Sequence, residues 1–65
     1  MHPEYAGMTT NERLFSAGLL EPFDVAARRR DREEMVRILI QVELEPEDAA
    51  RSVEHILADP RKYGY

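Results

Sequence analysis

Gly18, Pro22, Asp31, Pro46 and the Asp59-Pro60 pair divide this chain into segments of about a dozen residues, and this segmentation constrains the fold more than any other feature. A proline in a helix interior costs about 3 kcal/mol, and glycine readily takes the left-handed conformation that ends a helix. Between the breaks, apolar residues recur at spacings of three and four, and no stretch alternates as a strand does. The fold predicted is all-α: a small bundle of about four short helices over roughly residues 10–17, 20–30, 32–42 and 46–58, joined as antiparallel hairpins by connections of two to five residues.

Each segment carries its own start and stop. Thr9 and Glu12 fit a capping box, in which the two side chains satisfy free backbone N–H groups reciprocally. Leu14, Phe15 and Ala17 then supply the apolar face of the first helix, and Gly18 its end. Pro22 suits the first turn of a second helix; the rival is one long helix kinked at Pro22. Leu20, Phe23, Ala26 and Ala27 form the next stripe. Asp31 is a good N-cap for the third helix, with Glu34 at the matching box position and Met35, Ile38, Leu39 and Val42 as its buried stripe. Pro46 opens the fourth helix, whose stripe is Ala49, Val53, Ile56 and Leu57, with Ala50 beside it. Pro60 disfavours helical geometry at Asp59 and ends it. Residues 1–8 are expected to form a flexible lead-in, with residues 1–7 an upstream extension of a chain whose structured part starts near Met8. Residues 9–60 are expected to form one helical domain and residues 61–65 a C-terminal tail outside it.

A chain of 65 residues makes one domain at most, and one core of that size supplies roughly 3–5 kcal/mol. The chain has no cysteine, so disulfides and thiolate zinc sites cannot reinforce it. Helix packing, oligomerisation or both must do so. No apolar run reaches the roughly 18 residues of a membrane span, and Met1 to Gly7 lacks the basic start and apolar stretch of a signal peptide. A cytoplasmic location is expected. The net charge of −4 disfavours nucleic acid and anionic membrane as partners, since both attract positive fields.

The charge runs have a structural explanation. Arg28, Arg29 and Arg30 fall in the last turn expected for the second helix, where the macrodipole is negative. Asp31, Glu33 and Glu34 follow at the positive start of the third. Glu33 with Arg37, and Glu47 with Arg51, are spaced to pair at i, i+4. The alternative is that Arg28, Arg29, Arg30 and Arg32 contact phosphates of a nucleic acid, in which case binding weakens steeply with salt. The acidic cluster around Glu43 to Asp48 lacks the turn glycine and distal glutamate of a calcium loop.

Catalytic groups are sparse. The two histidines are His2, in the lead-in, and His55, about 200° from the centre of the fourth helix's stripe and therefore on the solvent side. Neither Ser16 nor Ser52 belongs to a nucleophile motif, and the three glycines cannot form a phosphate loop. A bundle this small leaves little room for a pocket, and an enzyme would need one joining His55 to a carboxylate. No catalytic, cofactor or metal residues are expected.

The informative surface is on the third helix. Val36 and Ile40 widen its apolar arc to roughly 200°, against about 100° for a helix buried on one side. Either this helix is central and covered by its neighbours, or Val36 and Ile40 face another protein chain. Tyr63 and Tyr65 divide in the same way, between an interface and a tail folded back on the bundle.

The stretches Asn11-Glu12-Arg13-Leu14-Phe15-Ser16-Ala17-Gly18-Leu19-Leu20 and Leu57-Ala58-Asp59-Pro60-Arg61-Lys62-Tyr63-Gly64-Tyr65 resemble the opening and closing signatures of a group of short bacterial proteins of unknown function. That resemblance covers most of the chain after Met8 and implies no activity. Locally, Val42-Glu43-Leu44, Glu47-Asp48-Ala49-Ala50 and Val53-Glu54-His55-Ile56-Leu57 are similar to part of ubiquitin-associated-type three-helix domains. The Met-Gly-Phe-type loop of that family is missing here, so no binding residues carry over. The function expected is a non-enzymatic protein–protein interaction module or small subunit, in homodimeric form or docked on a larger protein through Val36, Ile40, Tyr63 and Tyr65.

Overall fold

The computed structural model describes residues 5–65. Among them are four α-helices, α1 (Thr10–Ser16), α2 (Leu20–Arg28), α3 (Arg32–Gln41) and α4 (Pro46–Ala58), and a final 3-10 turn over Pro60–Tyr63. The expected all-α bundle is present, and the break between α1 and α2 excludes the single kinked helix. Pro22 lies in the first turn of α2.

The chain reverses by one device used three times. After α1, Gly18 takes the left-handed conformation at φ 72°. Its N–H bonds Phe15 O at 3.1 Å, and the N–H of Leu19 reaches back to Leu14 O at 2.8 Å. This is a Schellman cap, which satisfies carbonyls that the helix end leaves without partners. After α2 the left-handed residue is Arg30 (φ 58°), with Arg30 N to Ala27 O at 3.0 Å and Asp31 N to Ala26 O at 2.9 Å. After α3 it is Glu43 (φ 70°), with Glu43 N to Ile40 O at 2.9 Å and Leu44 N to Leu39 O at 3.1 Å. The α2 helix therefore ends two residues before the expected Arg30, because the third arginine is spent in the turn.

Two of the four starts, those of α1 and α3, are capped by side chains as well. Thr9 and Glu12 form the full capping box, Glu12 N to Thr9 Oγ1 at 3.2 Å and Thr9 N to Glu12 Oε1 at 2.8 Å. Asp31 accepts from Glu34 N at 3.2 Å. The Glu34 side chain does not close the box; it binds Arg37 instead. Asp31 thus ends α2 with its N–H and starts α3 with its carboxylate.

Helix α3 is the centre. It packs against α2 and α4, and Met35, Ile38, Leu39 and Val42 are all buried. Leu14, Phe23, Ala26, Ala27, Ala49 and Val53 complete the core from the other helices. Three expectations need correction. Phe15 and Ala17 face solvent, because adjacent residues sit 100° apart and Leu14 takes the inward position of this short helix. Of the expected lead-in, residues 1–4 lie outside the described residues, but Tyr5 is buried in the core and Met8 packs against it. Nor does the tail lie outside the domain: Tyr65 packs against the core.

At Gly18 an added Cβ would meet nothing within 4 Å, so only backbone conformation is at stake. Gly18→Ala is expected to destabilise the protein by about 1 kcal/mol, the lower end of the left-handed penalty for an L-residue. Urea denaturation of the two proteins measures it, and equal midpoints would show that the turn tolerates a side chain.

Candidate functional site

Arginines from within the molecule cap the ends of α2 and α3, and three more arginines pair with carboxylates. Arg13, on α1, donates through Nη1 to Val42 O at 3.1 Å and Glu43 O at 3.4 Å, capping the C-terminus of α3. Its guanidinium also lies 5.8 Å from the Tyr5 ring centroid, within cation–π range. Arg30 folds back onto its own helix end, donating to Ala27 O at 2.8 Å and Arg28 O at 3.3 Å. Arg32 pairs with Glu54 across α3 and α4. Of the four arginines considered for phosphate contact, Arg30 and Arg32 are engaged internally. Arg28 and Arg29 remain exposed without such bonds among the described residues.

The expected i, i+4 pairs are replaced by i, i+3 pairs. Arg37 forks onto Glu34 with bonds of 2.9 and 2.5 Å, and Arg51 reaches Asp48 at 2.8 Å. Residues three apart are equally neighbours on a helix surface, and the fork gives Arg37 two bonds to one carboxylate. That bond holds the Glu34 carboxyl below its ordinary range and raises Arg37.

The sequence-predicted interface residues do not form one patch. Val36 is half-buried against the core, as a central helix requires, while Ile40 is 42% exposed. Tyr63, 43% exposed, and Tyr65 line a groove that includes neither Val36 nor Ile40. The Tyr65 hydroxyl donates to Asp24 Oδ1 on α2 at 2.5 Å. The turn after α4 is therefore strapped across to α2, and a second left-handed glycine, Gly64, lets Tyr65 N return to Pro60 O at 2.9 Å.

That groove, of about 730 Å³, is larger than the sequence suggested for so small a bundle. Its floor is the buried core at Leu14, Phe23 and Leu39, and its rim includes Ser52, His55 and Asp24. The rim does bring a histidine and a carboxylate to one groove. The carboxylate, however, accepts from Tyr65, and His55 makes no hydrogen bond among the described residues. No group of three or more His, Asp or Glu side chains among the described residues is placed to hold a metal, and none of the described helices is long and apolar enough to cross a membrane.

The feature that sequence reasoning missed is Phe15. It is 75% exposed, far more than any other large apolar side chain described. It stands on α1 between two shallow hollows, one bounded by Gly18, Leu20, Glu21, Asp24 and Arg28, the other by Met8, Asn11 and Leu20. The sequence signal was the adjacency of Leu14 and Phe15 in a helix too short to bury both. Compared with protein-family models, curated proteins and solved structures, the chain matches none of them. The functional reading therefore rests on the geometry.

Burial, followed by the bond to Asp24, pushes the Tyr65 phenol up to about 12 from an ordinary 10.0. A raised folded-state value means that the neutral form fits the fold. Tyr65 thus gives its full stabilisation below pH about 10, and loses it as the pH rises through about 12. A difference titration of phenolate absorbance between the native protein and Tyr65→Phe isolates this group. A midpoint at the ordinary tyrosine value would show that the strap is open in solution.

Proposed function

We propose that this chain is a cytoplasmic, non-enzymatic protein–protein interaction module whose contact surface is the α1–α2 face. The observation that carries the reading is Phe15, 75% exposed beside half-buried Met8 and Leu20. A large aromatic in water, flanked by hollows, is the form of a binding anchor. Its exposure has no structural use in the isolated chain, because Leu14 already fills the core position of α1. Ile40 offers a smaller, separate surface, since Val36 is committed to the core. The alternative of phosphate contact draws less support: two of its four arginines are engaged within the molecule, and the net charge is negative.

A photo-crosslinking phenylalanine analogue at position 15, with the same analogue at exposed Glu33 as control, tests the reading in cells. Adducts to a protein chain are expected from position 15 and not from position 33. Absence of protein adducts from position 15 would remove the proposed surface.

A further inference from the structure

We infer that the outward face of α2, with Phe15 beside it, is a two-fold interface that receives a second copy of this chain. The inference rests on the protein-binding reading above and names the partner.

Charge complementarity selects the partner. Glu21 lies in the first turn of α2 and Arg28 in the last. They are seven positions apart, so they fall within about 20° of each other on the helix surface. Both are exposed, and neither side chain has a hydrogen bond or ion pair among the described residues. Place a second α2 antiparallel to the first, with the two-fold axis between positions 24 and 25. Glu21 of each copy then stands opposite Arg28 of the other, twice over. A parallel pairing would set like against like. One acid and one base at opposite ends of a single stripe are therefore complementary to their own copy, as an isologous contact requires.

Shape agrees with charge. An isologous contact needs a knob and a hollow on the same face. Phe15 is the knob, and the hollow bounded by Gly18, Leu20, Glu21, Asp24 and Arg28 lies immediately beside it. The ring of one copy enters the hollow of the second, where the aliphatic stem of Arg28 covers it and the guanidinium lies near its face. Val25, 41% exposed, falls beside the axis and is covered in the same step. The face also answers the deficit of a short, cysteine-free chain, which has no covalent reinforcement for its core.

Sedimentation equilibrium of the full chain tests this directly. The native protein is expected to show a concentration-dependent monomer–dimer equilibrium. Phe15→Ala should raise its Kd on the order of thirtyfold or more, the loss typical of a central anchor. Glu21→Arg and Arg28→Glu should each weaken the dimer, and E21R/R28E together should restore it. Each variant is checked for native helicity by circular dichroism, and all three positions lie outside the core. A chain that stays monomeric at millimolar concentration overturns the inference. So does a dimer indifferent to Phe15, or one in which the double exchange gives no recovery. A monomer that still yields position-15 adducts to other proteins would remove the second copy as partner while leaving the protein-binding reading intact.

Discussion

Everything in this fold depends on burying one helix from two sides, and that depends on three tight reversals. Helix α3 contributes Met35, Ile38 and Leu39 to the core, and Val42 at its C-cap is buried with them. It can do so only if α2 and α4 return along it. The left-handed residues Gly18, Arg30 and Glu43 make those returns in connections of three, three and four residues. Each also supplies one N–H to the preceding helix end and sets the next residue's N–H to supply a second. Geometry and hydrogen-bond satisfaction are therefore solved by the same residue.

Electrostatics follows from those reversals. A tight turn sets a negative helix end against the next helix, and at two of the three the chain answers with an arginine. Arg30 covers the end of α2 from within the turn, and Arg13 covers the end of α3 from α1. Arg13 is the more consequential of the two, because it ties the first helix to the last turn of the central one. The arginine run is best understood as an assortment of separate duties: Arg28 in the helix, Arg29 at its cap, Arg30 in the turn and Arg32 on the neighbouring helix.

Much of the fold was legible because its boundaries are chemical. Thr9 with Glu12, Asp31, Pro46 and Asp59-Pro60 each mark a helix end by side-chain hydrogen bonding or by a forbidden backbone, and the fourth helix begins and ends where those residues place it. What was not legible lacked a local signature. Arg30 and Glu43 occupy left-handed positions that a glycine would have announced. Tyr5 is an isolated aromatic with no period, so only its tertiary contacts put it in the core. Phe15 looked like core because it neighbours Leu14, and periodicity over two turns cannot say which of two adjacent apolar residues faces inward. The strap from Tyr65 to Asp24 spans 41 positions, and no sequence pattern reports a pairing at that range.

That same separation has a consequence for how the molecule assembles. The packed helix pairs join elements adjacent along the chain: α1 with α2, α2 with α3, α3 with α4, and α4 with the final turn. Closing such neighbours costs little loop entropy, so the contact order is low and the bundle belongs among the fast folders, in the microsecond to millisecond range. The Tyr65–Asp24 bond is different, since it encloses α3, α4 and the final turn and has nothing to grip until α2 and α4 are both in place. It should carry no weight in the folding transition state and full weight against unfolding. Its loss would leave the rate of assembly unchanged and shorten the life of the assembled state.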